Sequence, residues 1–248
     1  MSFIFNEISS DDMGLFVEKY PPRPFPTRKA DVYQIPGRSG DLVVDQNAFS
    51  NIVQEYEVFV KGGTEGFQAR ATAIARWLLG ASGYQQLRDE YDPTIYREAR
   101  YVGGVSFLNA LNKYGQATLT FDCKPQRFPI DEEIITGLIG QTFTLPTVTD
   151  AMPGYPLLTI TDTIVDVSYK IEVPALNLTI TVPGQSAARP AIYIDFETGV
   201  ISGRPSNPTA VSVAGKFGAI GNGAQIVTTL ETGETAPRIG ITPNRWFL

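Results

Sequence analysis

Residues 64–80 read TEGFQARATAIARWLLG, the one stretch of this chain with a clear helical period. Its apolar residues recur at intervals of three or four and form one stripe, made of Phe67, Ala71, Ile74 and Leu78. Trp77 widens this stripe. Thr64 is predicted to be the N-cap with Glu65 in the first turn, and Gly80 is predicted to end the helix in a left-handed conformation. A lone helix with this much apolar surface needs a sheet to pack on.

The sequence on both sides of this helix predicts strands. Residues 52–61 (IVQEYEVFVK) and 116–123 (QATLTFDC) alternate between apolar and polar positions, which is typical of a half-buried strand. The alternation turns Cys123 inward as a core thiol. Further strands are predicted at 2–8, 15–18, 95–102 and 105–111. The pattern lapses over 124–140, which predicts a linker with a domain boundary near residue 130.

The second half of the chain shows no helical period beyond this boundary. Short strands with turns between them are predicted at 143–145, 157–161, 167–173, 176–182, 191–196, 200–201, 211–213, 225–231 and 238–242. Strands at this spacing indicate a β-sandwich or a jelly roll. The predicted domains are 1–130 and 131–248.

Composition excludes several function classes. The chain has 20 basic and 26 acidic residues, a formal charge of −6, which argues against general or sequence-specific binding of nucleic acid. It has no histidine and one cysteine, so a Ser-His-Asp triad, a Cys/His zinc site and an internal disulfide are excluded. No apolar run is long enough for membrane insertion, and the N-terminal residues lack the pattern of a secretory signal.

One carboxylate cluster invites an enzymatic interpretation. Asp89, Glu90 and Asp92 are the densest group, and glycosidases use a pair of carboxylates. Arg88 and Arg97 are close enough in sequence to neutralise them. We therefore favour an ion-paired surface and predict no catalytic residue.

Two other groups have a possible ligand. Asp162 and Asp166 lie in a predicted turn and could contribute to a calcium site, although the spacing of an EF-hand is absent. Tyr193 and Trp246 could stack on a sugar ring, although core or interface packing is the favoured interpretation of both residues. No metal and no cofactor is predicted.

Two segments rich in turn residues stand out in the first half. Residues 20–26 (YPPRPFP) are predicted to be an extended edge or arm, with a ligand for a proline-recognition domain as the alternative. Residues 36–41 (PGRSGD) are predicted to be a compact turn. They lack the lysine and the following helix of a phosphate-binding loop.

The order of several short motifs carries a family resemblance. In the first half these are 3–14, 35–40 (IPGRSG), 75–78 (ARWL), 91–93 (YDP) and 115–125 (GQATLTFDCKP). In this order they resemble the distal tail protein (Dit) family of long-tailed bacteriophages. In the second half, 192–195 (IYID), 215–217 (GKF), 221–226 (GNGAQI) and 243–246 (PNRW) resemble the galectin-like C-terminal domain of that family. Ala224 and Gln225 depart from the Gly-Asn-Asn that often precedes the strand there.

The resemblance implies a fold and a function. The fold would be mainly β, with an N-terminal α+β split β-barrel that contains one helix and a C-terminal galectin-like β-sandwich. The protein would be a structural component of the virion, assembled in the host cytoplasm, and not an enzyme. A homo-hexameric ring would join the tail tube to the baseplate and leave a channel for DNA. The expected partners are the tail tube protein and the tail-tip or hub protein, together with receptor-binding or tape-measure proteins.

The ring implies neighbour contacts, for which six positions are candidates: Pro22, Pro24, Pro36, Gly37, Arg38 and Gly40. Two other functions stay open. One is a carbohydrate-binding tail module that attaches to the host surface, with Arg189, Arg204 or Trp246 in place of the missing histidine. The other is a glycosidase that uses Asp89 and Asp92.

Overall fold

A computed structural model describes residues 1–61, 66–104, 108–110, 114–163, 166–184, 189–203 and 211–248. The chain folds as two units, Met1–Ile130 together with Leu248, and Asp131–Phe247. In the described residues the fold is mainly β with one α-helix, which confirms the predicted fold class.

The N-terminal unit contains a curled eight-stranded sheet and the helix α1. Its elements are β1 (Phe3–Phe5), β2 (Ile8–Ser9), β3 (Leu15–Val17), β4 (Arg28–Tyr33), β5 (Leu42–Phe49), β6 (Ile52–Lys61), α1 (Phe67–Gly80), β7 (Gln85–Asp89), β8 (Ile95–Tyr101), β9 (Leu108–Ala110) and β10 (Tyr114–Pro129). The sheet has the order β2-β1-β7-β8-β10-β6-β3, with β9 also paired to β10. The strands β4 and β5 pair only with each other among the described strands.

Helix α1 lies on the core of this sheet. The predicted stripe is confirmed, since Phe67, Ile74, Trp77 and Leu78 are buried. Both predicted ends are wrong. Gly66 is at the N-cap position with φ of 88°, a conformation that favours glycine, while Thr64 and Glu65 lie outside the described residues. Gly80 is the last helical residue, and the chain leaves through Ala81 in an extended conformation.

The alternation predicted for the two long strands is confirmed. On β6 the inward positions are buried from Ile52 to Val60, including the polar Gln54. On β10, Leu119, Phe121 and Cys123 are fully buried. Burial raises the pKa of the Cys123 thiol to about 12, so this group stays neutral and behaves as a core side chain.

Two sequence predictions in this unit are wrong for local backbone reasons. The strand predicted over 2–8 is broken into β1 and β2 because Asn6 and Glu7 take positive φ and form a tight hairpin turn. The linker predicted over 124–140 is partly strand. A register shift between Cys123 and Arg127 lets β10 continue to Pro129, since a proline is tolerated where the ladder is interrupted.

The C-terminal unit is a sandwich of two antiparallel five-stranded sheets. Its strands are β11 (Ile135–Leu138), β12 (Thr142–Thr144), β13 (Leu157–Thr163), β14 (Ser168–Val173), β15 (Leu178–Val182), β16 (Arg189–Asp195), β17 (Ile201–Ser202), β18 (Ser212–Ala214), β19 (Gln225–Thr232) and β20 (Arg238–Thr242), with a 3₁₀ turn at Pro174–Leu176. The sheets have the orders β11-β20-β13-β16-β17 and β12-β19-β14-β15-β18. Isoleucines from both sheets share one core, among them Ile160 and Ile192 from the first sheet and Ile171 and Ile226 from the second.

Asp195 closes the turn between β16 and β17. Its Oδ1 accepts the backbone N–H of Glu197 at 2.9 Å, and its Oδ2 accepts the hydroxyl of Thr198 at 2.7 Å. Burial raises the pKa of Asp195, but these hydrogen bonds outweigh it and leave the pKa below its ordinary value of 3.8.

This turn gives a pH-dependent contribution to stability. The folded-state pKa is depressed, so the stabilisation is present above about pH 4 and is lost as the pH falls through the lower folded pKa. We expect Asp195→Asn to lower the Tm by about 2 °C at pH 7 and by less at pH 2.5, since the group is largely solvated. Thermal unfolding of both proteins from pH 2.5 to 7 measures this. A Tm difference that does not change with pH would contradict a role for the ionised carboxylate.

Candidate assembly surface

The hairpin of β4 and β5 stands apart from the curled sheet, and we call residues 28–49 the arm. The pairing runs from Arg28 opposite Phe49 at its base to Tyr33 opposite Leu42 near its tip. Every residue of β4 is exposed, and so is β5 except at its last two residues. At about 3.3 Å per residue, β4 alone spans about 20 Å.

Side chains close the base of the arm. The hydroxyls of Thr27 and Ser50 lie 2.6 Å apart, and the backbone N–H of Ser50 donates to the carbonyl of Thr27 at 2.9 Å. Higher up, Arg28 forms an ion pair with Asp45 at 3.0 Å. These contacts hold the two strands together where they leave the unit, so side-chain contacts as well as strand pairing stabilise the hairpin.

The tip of the arm carries four of the six predicted interface residues: Pro36, Gly37, Arg38 and Gly40. The N–H of Arg38 donates to the carbonyl of Ile35 at 3.1 Å, with Pro36 and Gly37 between them and Gly37 at φ of 81°. This is the geometry of a type II turn, which places proline and then glycine at its centre. All four residues are exposed.

The sides of the arm are apolar although they face solvent. Six large hydrophobic residues are 39–61% exposed: Val32, Tyr33, Ile35, Leu42, Val43 and Val44. Val32 is opposite Val43, and Tyr33 is opposite Leu42, so the two pairs lie on opposite faces of the hairpin. The three basic residues of the arm, Arg28, Lys29 and Arg38, balance its three acidic ones, Asp31, Asp41 and Asp45.

This combination is typical of a segment that docks on another surface. A two-stranded hairpin is marginally stable in water, and exposed apolar patches of this kind mark protein–protein contacts. Within the described part of the chain no further strand pairs with the outer edges of β4 and β5, so their backbone groups on alternate residues offer hydrogen bonds to a strand of another molecule. The exposed apolar residues on the sides of the arm are therefore contact candidates too, and they are more numerous than the four predicted residues at its tip.

The proline segment, residues 20–26, carries the other two predicted interface residues. It lies on the N-terminal unit: the Tyr20 and Tyr91 rings are 5.1 Å apart, and Gln54 donates to the carbonyl of Pro22 at 3.1 Å. Pro22 is exposed and Pro24 is half-buried. Residues 20–26 pair with no strand of the described chain, so the segment does not form the sheet edge that was one of its two predicted conformations.

Sequence reasoning missed the sides of the arm. The residues Val32, Val43 and Val44 were available as a signal, because a run of β-branched residues on each side of a Pro-Gly turn is typical of a hairpin. The alternation that identified the other strands fails here, since neither face of the arm is buried in its own unit.

The carboxylate cluster is engaged in structural contacts. Asp89 accepts the hydroxyl of buried Tyr56 at 2.8 Å and the backbone N–H groups of the turn that follows it, and Glu90 accepts the hydroxyl of Ser2 at 2.6 Å. Asp92 forms ion pairs with Arg23 and Arg127. The arginines predicted to neutralise the cluster were therefore the wrong ones, because partners distant in sequence are brought there by the fold.

The structure offers few contacts in support of the calcium site and the sugar site that the sequence suggested. Among the described residues no three His, Cys, Asp or Glu side chains are grouped to hold a metal. The side chain of Asp162 and that of Arg189 lie outside the described residues, as does Arg204. Tyr193 is 44% exposed on β16, while the Trp246 indole donates to the carbonyl of Pro153 at 2.9 Å. No helix in the described chain has the length and apolarity to cross a membrane.

Comparison of sequences finds no match for this chain, whereas comparison of structures finds proteins with a similar fold. No protein-family model matches the sequence, and no curated protein sequence is significantly similar to it. The Dit protein of phage SPP1, described as a paradigm of the hub adsorption apparatus of phages that infect Gram-positive bacteria, has a similar fold. The TM-score is 0.69 at 12% identity, over 100% of this chain and 99% of that protein.

This chain has a Dit-like fold. A chain of the phage P2 baseplate in its activated, calcium-containing conformation is also similar, with a TM-score of 0.51 and 9% identity over 97% of both chains. Both matches run through the two units of this protein. The resemblance to the Dit family is thus confirmed at the level of fold.

Proposed function

We propose that this chain is a structural protein of a phage tail tip, in which six copies form a closed ring between the tail tube and the baseplate. The observation that carries this proposal is the Dit-like fold over the whole chain, at a TM-score of 0.69. The exposed arm supports it independently. A protein that acts alone has no need of a hairpin with two apolar faces in solvent.

In this proposal the arm makes the contact between neighbouring copies. Closed cyclic rings use head-to-tail contacts, in which one surface of each copy meets a different surface of the next. The arm provides the first of these surfaces. Its exposed apolar sides suit the core of an interface, which is more apolar than its rim, and its zero net charge avoids repulsion between copies. Permanent interfaces commonly bury more than about 2,000 Å², and a 20 Å hairpin with both faces covered contributes a substantial part of that.

The remaining parts of the ring follow from the same resemblance. The N-terminal units would surround a channel for DNA, and the sandwiches would bind other tail proteins. An overall charge of −6 suits a channel that DNA passes without being held. The partners would be the tail tube protein on one side and the tail-tip or hub protein on the other, within the virion.

The ring is testable with the purified chain. Mass photometry should show a species of six times the 27.1 kDa protomer, and negative-stain micrographs should show sixfold rings. The tail-tube partner is added in a second sample, because some rings close only on a template. Monomers alone in both samples, at micromolar concentration, would contradict the proposal.

A carbohydrate-binding module is a second proposal for the C-terminal unit. Tyr193 is exposed on the outer face of the sandwich and lies opposite Thr159, which gives an aromatic platform next to a hydroxyl. Glycan-array binding by the intact chain, lost in Tyr193→Ala, would support this function.

A further inference from the structure

A small cavity in the N-terminal unit is lined by more positive than negative charge, and we call it the arginine pocket. Segment 21–23 lies on one side of it and the β7–β8 turn on the other. Four arginines line it, Arg23, Arg88, Arg97 and Arg127, against two carboxylates, Asp89 and Asp92. Its volume is about 50 Å³. By the same measure, one water molecule needs about 10–15 Å³. It therefore has room for one small charged group.

Two of these arginines face each other directly. Arg97 on β8 and Arg127 on β10 are opposite in the strand register, beside the shift that follows Cys123. Side chains opposite each other in an antiparallel pair are about 5 Å apart at Cβ, and like charges there are destabilising. The pKa of Arg97 is lowered, first by burial and then by the nearby Arg127 and Arg23.

The carboxylates of the pocket do not relieve this repulsion at Arg97. Both oxygens of Asp89 are taken by Tyr56 and by the turn after β7. Asp92 is held by Arg23 and by Nη1 of Arg127, whose Nη2 donates to a main-chain oxygen of Leu248 in the same unit. Two buried N–H donors, Nη1 of Arg97 and Nε of Arg127, find no acceptor in the described chain.

We propose that the arginine pocket binds a carboxylate, which an acidic side chain of a partner protein supplies. Carboxylate oxygens are acceptors for the two unsatisfied N–H donors, and guanidinium groups bind carboxylates through paired hydrogen bonds. A negative group between Arg97 and Arg127 turns their repulsion into attraction to a shared centre. The net charge of −6 disfavours the approach of a nucleic acid as the source of the anion.

The test compares anions on the intact chain and does not depend on whether it forms a ring. The Tm is measured at pH 7 in sodium acetate, sodium phosphate and sodium chloride at equal ionic strength. We expect acetate to raise the Tm above its value in chloride, by about 3–6 °C at ten times the dissociation constant. A glutamate peptide, acetyl-Gly-Glu-Gly-amide, should act like acetate, and its glutamine counterpart should have no effect.

Variants assign the effect to the pocket. Arg97→Met should abolish the acetate response and raise the Tm in chloride, because it removes one of two facing charges and keeps an apolar stem of similar length. Arg76→Met, at an exposed position of α1, removes the same charge elsewhere and should keep the full response. Arg97→Lys keeps the charge and should keep part of the acetate response.

Several outcomes would overturn the proposal. Equal Tm values in acetate and chloride for the unmodified chain would do so without any variant. An acetate response that survives in Arg97→Met would place the anion elsewhere. A larger response to phosphate than to acetate, lost in Arg97→Met, would identify a phosphate site and reject the carboxylate. A lower Tm of Arg97→Met in chloride would show a purely structural arginine.

Discussion

Val43→Asp is expected to dissociate the proposed ring and to leave the protomer folded. Val43 is 61% exposed and opposite Val32 on one face of the arm, so an aspartate there meets water in the free chain. In an assembly that covers this face, the same aspartate is buried without a partner. Changes at the hot-spot residues near the centre of an interface cost about 2 kcal/mol or more. The dissociation constant of each contact should therefore rise by about thirtyfold or more.

The measurement is mass photometry across a concentration series, with the Tm recorded on the same samples. Val200→Asp is the matched control, because Val200 is 54% exposed in the C-terminal unit and receives the same change. We expect the control to form rings at the concentration of the unmodified chain. If Val43→Asp assembled as well as Val200→Asp, the arm would not be the contact, and another surface would have to close the ring.

The elements that bury one face were predictable from the sequence. Residues 116–123 alternate because Leu119, Phe121 and Cys123 point into the core of the curled sheet and the residues between them do not. The helix was predictable for the same reason, since Ile74 and Leu78 form a buried stripe at helical period. In both cases one face of the element is buried, so apolar residues recur in the sequence with the period of that element.

The ends of elements were not predictable in this way. The helix begins after Gly66 because that residue takes φ of 88°. A positive φ at a glycine does not change the pattern of polar and apolar residues from which helix ends were predicted. The strand β10 runs past Cys123 because its register shifts there, which the sequence shows only as a lapse in the pattern. The arm was missed since none of its faces is buried in its own unit.

The candidate surfaces depend on pairing between distant segments. Arg97 was predicted to neutralise nearby carboxylates, whereas the register places it opposite Arg127, thirty positions away along the chain. The predicted interface residues at 36–40 proved to be the tip of a hairpin whose sides carry more apolar area. Turn chemistry identified the tip, but only the strand pairing shows that the apolar sides belong to the same feature.

Trp77→Ala is expected to have the largest effect on the stability of the N-terminal unit. The Trp77 ring lies 5.9 Å from that of Phe3 and 6.1 Å from that of Phe5, and its indole N–H donates to the carbonyl of Phe5 at 3.1 Å. The side chain is 7% exposed, so its removal opens a cavity between α1 and β1. We expect a loss of about 3–5 kcal/mol in the free energy of unfolding.

One further variant probes the hydrogen bond of Trp77, and a second is a control. Trp77→Phe keeps an aromatic ring against Phe3 and loses the donor to the Phe5 carbonyl, so its cost should be smaller than that of alanine. Leu79→Ala is the control, because Leu79 is 63% exposed two residues along the same helix and should change stability by less than about 0.5 kcal/mol. Urea unfolding followed by circular dichroism measures all three. A stable Trp77→Ala protein that selectively fails to assemble would show that Trp77 acts at an interface, and the helix would then be part of the contact surface rather than of the core that supports the arm.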